Sequence, residues 1–143
     1  MERGLNMGCT TLSVQSQTID ERILALVYAY SNSYTPAQEP LSHADHLRKI
    51  QRFILRGEPV QFVLPAFPAK SPNRRKTLSP LPDLADLEGL RTLDGLAAQI
   101  RALYRPGAHI LICSDGRVFA DVVQVSDLDV ENYKRGIERM ISW

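Results

Sequence analysis

Two spacings of apolar residues divide this chain. Ile19, Ile23, Leu26, Val27 and Tyr30 fall on one helical face behind Thr18 and Glu21, which have capping-box spacing, and predict a helix over about 19–31. The stretch from Ser31 to Pro40, with Pro36 between, breaks it into a loop. Ser42, with Asp45 three residues on, then opens a second helix over about 43–56, striped by Leu47, Ile50 and Ile54 and stopped at Gly57. The pattern changes at Val60-Gln-Phe-Val-Leu64, a short β-rich run closed by Pro65 that reads as a strand. Beyond the prolines near residue 80, Asp83 is a helix cap for a short face of Leu84, Leu87 and Leu90, and a longer helix over about 92–104 carries Leu93, Leu96, Ile100 and Leu103. Ala108–Cys113 is a nearly continuous apolar run of the kind buried in parallel sheets. A last helix over about 129–141, capped by Asp129, is striped by Val130, Tyr133, Ile137 and Met140.

Strand, helices, strand is a βαβ pattern, so the two strands are expected to lie parallel in an α/β sheet flanked by helices. Their C-terminal ends then share one edge. The loops after Leu64 and after Cys113 emerge there side by side, where open α/β sheets bind ligands.

The first of these loops is Phe67-Pro-Ala-Lys-Ser-Pro-Asn-Arg-Arg-Lys76. Its prolines fix φ and bias the preceding residues toward extended geometry, which stiffens the loop. It presents Lys70, Arg74, Arg75 and Lys76, with Ser71 and Asn73 as neutral hydrogen-bonding groups, a set suited to phosphate or carboxylate oxygens. For Arg74–Lys76 alone, a solvated basic loop or nuclear-address patch is the favoured reading. Lys70 stands apart between two prolines, and a lysine beside other cations can have its pKa lowered enough to act as a base or amine nucleophile.

The second loop reads Ser114-Asp-Gly-Arg-Val-Phe-Ala-Asp121. Gly116 permits a sharp turn, leaving Ser114 and Asp115 at the strand end, with Arg117 able to clamp an anion and Asp121 able to pair with a cation. Asp-Gly is equally a favoured hairpin turn, which would make Val118–Val122 a third strand.

Composition narrows the field. With 143 residues, 44% of them hydrophobic, the chain suits one domain, and a net charge of +1 gives no global field for nucleic acid or an anionic membrane. Two cysteines make no disulfide framework, and Cys113 is expected to be buried and reduced. Residues 1–17 read as a flexible polar arm lacking the apolar block of a signal peptide, and a cytoplasmic location is expected. His43 and His46 have i, i+3 spacing, but with no third ligand suggested the pair reads as exposed, and no metal site is assigned.

Together the two loops carry a family likeness. Phe67-Pro-Ala-Lys-Ser-Pro-Asn73 with Lys76 and Leu78, then Pro82-Asp-Leu84 ahead of a Leu-rich helix, then Ile112-Cys-Ser-Asp-Gly-Arg-Val-Phe119 with Asp121, resembles the pyoverdine/dityrosine biosynthesis family, the isonitrile (isocyanide) synthases. The likeness runs from about Ile19 to Ile141. It implies a Rossmann-like fold and conversion of the α-amine of an amino acid of the tryptophan, tyrosine or leucine type to an isonitrile in secondary metabolism. Ribulose 5-phosphate would supply the carbon, no metal or organic cofactor is implied, and an iron and 2-oxoglutarate oxygenase often acts alongside.

Such chemistry needs proton transfer and anion binding, which sets the expected roles. Lys70 and Asp115 are the catalytic acid/base pair. Arg74, Lys76 and Ser71 go to a phosphate and Arg117 to a carboxylate. Asn73, Ser114 and Asp121 orient the substrate, with Gly116 shaping the turn. Family members run further than these residues, so the segment from residue 18 to 143 is expected to be the N-terminal part of an incomplete domain. That leaves two further readings, a non-catalytic sugar-phosphate or anion-binding module, and a subunit completed by a second chain or a homo-oligomer.

Overall fold

The computed structural model describes residues 17–31, 40–71, 73–114 and 116–142. The expected arm up to residue 16, most of the loop between Ser31 and Pro40, Pro72, Asp115 and Trp143 therefore lie outside the described residues.

Helix α1 (Ile19–Ala29) begins as the capping box requires, with the Thr18 backbone N–H donating to the Glu21 carboxylate at 2.8 Å. Helix α2 (Pro40–Arg56) starts earlier than expected, at Pro40, leaving Ser42 inside the first turn; a proline at the first helical position loses no intrahelical hydrogen bond. It ends in a Schellman closure, with Gly57 at φ 67° and the Glu58 N–H reaching the Phe53 carbonyl at 3.0 Å. Strand β1 (Val60–Pro65) and strand β2 (Ala108–Cys113) pair in parallel, Val60 with Ala108 through Pro65 with Cys113.

Between them runs one helix, α3 (Leu84–Leu103), where the sequence suggests a short helix followed by a longer one; nothing between Leu90 and Thr92 breaks a helix, and Asp83 is its N-cap as expected. Its last turn leads to Tyr104, whose hydroxyl donates to the Glu58 carbonyl at 3.0 Å and ties the end of α3 to the start of β1. The main core consists of Ile23, Leu24, Ile50, Val60, Leu96, Ile100 and Tyr104. The α/β architecture with a parallel sheet flanked by helices is thus as expected.

Two expectations fail on the far side of the sheet. Residues Gly116–Val123 form helix α4, so neither a third strand over Val118–Val122 nor an Asp115–Gly116 hairpin is present. Among the described side chains of α4, Gly116 and Ala120, one turn apart, are buried, whereas Val118 and Val122 are 73% and 79% exposed. The β-branched residues that suggested a strand point to solvent. Gln124, at φ 57°, ends the helix, with the Val125 N–H donating to the Ala120 carbonyl at 3.0 Å. Cys113 is exposed, because β2 buries only alternate residues: Ala108, Ile110 and Ile112 face the helices while His109, Leu111 and Cys113 do not.

Helix α5 (Asp127–Ile141) is capped by Ser126, whose hydroxyl accepts from the Asp129 N–H at 3.1 Å; Asp129 itself lies in the first turn. None of the described helices is long and apolar enough to cross a membrane.

Candidate functional site

The two strand-end loops meet. The Ala66 N–H donates to the Cys113 carbonyl at 3.4 Å, and Ser114 Oγ donates to the Phe67 carbonyl at 3.1 Å. A Cβ at position 116 would overlap the Pro68 carbonyl oxygen and lie 3.1 Å from Val130 Cγ1, so only glycine lets the start of α4 come this close to the first loop. Phe67 departs from the extended geometry expected before a proline and has φ 54°. A left-handed phenylalanine costs on the order of 1–3 kcal/mol and persists only where its surroundings hold it. Here the Ser114 bond fixes its carbonyl, and its ring lies beside Gly89 of α3.

The bend delivers Lys70 to the N-terminus of α3. Its ammonium pairs with Asp83 and, at 2.9 Å, with Asp86 Oδ2, and its side chain is only 14% exposed. These two acids are also the capping box of α3: Asp83 Oδ1 accepts from the Ala85 N–H at 3.0 Å, and Asp86 Oδ2 accepts from the Asp83 N–H at 2.8 Å. Tyr133, buried on α5, donates its hydroxyl to Asp86 Oδ1 at 2.6 Å. The approach of α5 depends on Gly136, where a Cβ would sit 2.6 Å from the Pro82 ring.

The electrostatics correct the reading of Lys70 as a lysine with lowered pKa. Burial pulls its pKa down, but hydrogen bonds and attraction from Asp83 and Asp86 outweigh that, and the net direction is up. Its neighbours are acids, while Arg74, Arg75 and Lys76 stand exposed further along the loop. Asp83 is held below the usual carboxylate range, first by Lys70 and then by the Ala85 N–H. Burial, followed by the bond to Asp86, pushes Tyr133 above the ordinary phenol range. At neutral pH Lys70 is therefore an ammonium, Asp83 a carboxylate and Tyr133 a neutral phenol.

The remaining expected residues divide among several places. Ser114 lines a cleft of about 310 Å³ between the strand ends and α5, with Phe67, Ile112, Val130 and Ile137. Ser71 and Arg74 line a separate recess of about 240 Å³ with Thr77, Ser79 and Asp129. Asn73 organises the loop: its Oδ1 accepts from the Arg75 N–H at 3.0 Å and its carbonyl accepts from the Lys76 N–H at 2.8 Å. Lys76 is exposed. Asp115 lies outside the described residues, as do the side chains of Arg117 and Asp121, which fall on α4. Away from the loops, Tyr28 contacts both histidines of α2, its hydroxyl lying 3.0 Å from His46 Nδ1 and its ring 5.8 Å from that of His43. No cluster of three or more metal-ligating side chains occurs among the described residues.

Sequence reasoning missed Asp86 and Tyr133. The signal for Asp86 is the Asp83-x-x-Asp86 spacing, a capping box built from two acids, which leaves one negative charge more than a helix start requires. Tyr133 carries no such signal, since it occupies an apolar stripe.

The parallel βαβ fold agrees with what comparison finds. The model of the pyoverdine/dityrosine biosynthesis protein family matches residues 50–143, and the chain belongs to that family. It is 47% identical over 130 residues to the L-tryptophan isonitrile synthase AmbI1 of Fischerella ambigua (strain UTEX 1903), a match covering 87% of this chain and 41% of that protein. It is 39% identical over 137 residues to an L-tyrosine isonitrile synthase of Pseudomonas aeruginosa, covering 90% and 42%. The crystal structure of the Pseudomonas aeruginosa PvcA protein superposes with a TM-score of 0.82 at 41% identity, covering 87% of this chain and 41% of that one. The chain thus spans about two-fifths of the length of these relatives.

Proposed function

We propose that this chain supplies the lysine-loop portion of an isonitrile synthase, which converts the α-amine of an L-amino acid of the tryptophan, tyrosine or leucine type to an isonitrile with ribulose 5-phosphate as carbon donor. The observation that carries the reading is Lys70, held at the strand ends by Asp83 and Asp86 in a chain similar to named isonitrile synthases. A zwitterionic amino acid and a phosphosugar present an amine, a carboxylate and a phosphate. Condensing the amine with the sugar ketone needs a base to free the amine and an acid to protonate the departing oxygen. Because Lys70 keeps its proton, it takes the acid or electrostatic role, and the base role falls to Asp115.

Arg74 and Ser71, facing one recess, are assigned to the phosphate with Lys76 nearby in the loop. Arg117 is assigned to the carboxylate, and Asn73, Ser114 and Asp121 to orientation. The product would pass to an iron and 2-oxoglutarate oxygenase acting in the same pathway. No metal or organic cofactor is assigned to the synthase step itself.

The test is incubation of the chain with L-tryptophan, L-tyrosine or L-leucine and ribulose 5-phosphate, followed by mass spectrometry for the isonitrile. Product from any of the three supports the reading. A second reading rests on the recess that Ser71 and Arg74 share, apart from Lys70: a module that binds a sugar phosphate without turnover, or a subunit that a further chain completes. Binding of ribulose 5-phosphate without product, or a solution mass exceeding that of one chain, would select it.

A further inference from the structure

The Asp86 carboxylate has donors on both oxygens. Oδ1 receives the Tyr133 hydroxyl at 2.6 Å, while Oδ2 receives the Lys70 ammonium at 2.9 Å and the Asp83 N–H at 2.8 Å. Both carboxylate oxygens are thereby engaged, and the Asp86 side chain is only 12% exposed. The donors come from three parts of the chain: the strand-end loop, the N-cap of α3 and the middle of α5. A helix cap alone explains one of them.

Tyr133 is the member that a stability argument explains least well. Its ring sits in the apolar stripe of α5, where a phenylalanine would fill the same space without a hydroxyl to satisfy. Its hydroxyl ends on Asp86, the more buried of the two carboxylates that touch Lys70, and Gly136 brings α5 against Pro82 to make that reach.

We infer that Asp86 and Tyr133 are positioning residues for Lys70: Tyr133 fixes the Asp86 carboxylate, and Asp86 in turn fixes the ammonium at the meeting of the two strand-end loops. Insofar as Lys70 works in turnover, the inference rests on the synthase reading above. The link itself belongs to this chain and can be tested without turnover. Asp83 is the outer arm of the clamp, Asp86 the inner arm, and Tyr133 the brace behind the inner arm.

The first test is competitive acetylation of lysines in the folded chain, followed residue by residue by mass spectrometry across pH. Only a neutral amine reacts, so a clamped ammonium labels slowly. Lys70 is expected to label more slowly than the exposed Lys49 and Lys134. Asp86→Asn should raise the Lys70 rate at pH 8 roughly tenfold, as the loss of a negative partner lowers the amine's pKa, and Tyr133→Phe should raise it roughly threefold by leaving the Asp86 carboxylate free to turn away from the ammonium. The other lysines should not change. A Lys70 profile in Tyr133→Phe that superposes on the unaltered chain would overturn the inference.

Should Tyr133→Phe fail to fold, proton NMR of the Tyr133 hydroxyl in the unaltered chain and in Lys70→Met gives an independent reading. The inference requires that resonance to shift when the ammonium at the other side of Asp86 is removed, and an unmoved resonance contradicts it. In a turnover assay, Tyr133→Phe should lower kcat with KM unchanged and move the alkaline limb of the kcat profile to lower pH. A purely structural role would reduce the folded fraction and leave the limb in place. Absence of isonitrile with the labelling effect intact would remove the synthase reading alone. Turnover combined with unaltered labelling and an unmoved limb would remove only this inference.

Discussion

On one side of the molecule, Ile23, Leu24, Ile50, Val60, Leu96, Ile100 and Tyr104 are held together by buried apolar surface. On the other, the core beneath the loops holds, among the described residues, Ala120, Val125 and Val130 with Ala69 packed on it. That second region is set by close approaches at Gly116 and Gly136, a left-handed Phe67, and the Lys70–Asp83–Asp86–Tyr133 network. The first region carries the stability and can lose volume only at a cost. The second fixes a few polar atoms in place, and its tolerances are steric and electrostatic.

The largest effect should come from cutting into the first region. Ile100 is fully buried, and Ile100→Ala is expected to lower stability by about 3–4 kcal/mol in urea unfolding, through lost transfer energy and the cavity left behind. Next is Gly116→Ala, whose added methyl must push the Pro68 carbonyl away; a loss of roughly 2–3 kcal/mol is expected, accompanied by faster hydrogen exchange at the Ala66 and Val125 amides. A loss confined to hydrogen exchange, with unchanged unfolding, would show that the loop contact is local and separate from the fold.

The charge network should appear as two pH limbs. Lys70 holds its proton beyond the ordinary lysine range, so its contribution is complete below about pH 10.4 and is lost as pH rises through the folded value. Asp83 ionises below the ordinary range, so its contribution is complete above about pH 3.9 and is lost as pH falls through the folded value. Lys70→Met should flatten the alkaline limb and shrink the acid one when urea midpoints are plotted against pH. The smallest effect is expected at Val122, which points to solvent from α4: Val122→Thr should change stability by no more than about 0.5 kcal/mol. A large loss there would argue for a covered face.

Much of this arrangement could be read from the letters, and the reasons are local. The capping box at Thr18, the cap at Asp83, the stop at Gly57 and the two β-rich runs are decided by neighbours in sequence, and the parallel pairing of β1 and β2 follows from the crossover between them. What escaped depends on partners far away. α4 resisted because Gly116 and Ala120, buried among its described side chains, are small enough to be silent in a hydrophobic pattern, while Val118 and Val122 face out. Cys113 was misplaced because an apolar run cannot reveal that only one face of its sheet is covered.

Lys70 was legible as a singular residue in a stiff loop, but its charge environment was not. Asp86 lies 16 positions further along the chain and Tyr133 another 47 beyond that, and nothing near Lys70 in sequence announces them. Neighbouring cations therefore suggested the opposite direction of pKa shift from the one the folded chain produces.

Central to all of this is a protonated Lys70 fixed between Asp83 and Asp86. Following its Cε carbon by NMR through a pH titration of the intact chain tests that most directly. A midpoint above that of the exposed lysines is expected, moving down toward theirs in Asp86→Asn; a midpoint below theirs would mean that Lys70 is not held by the two carboxylates.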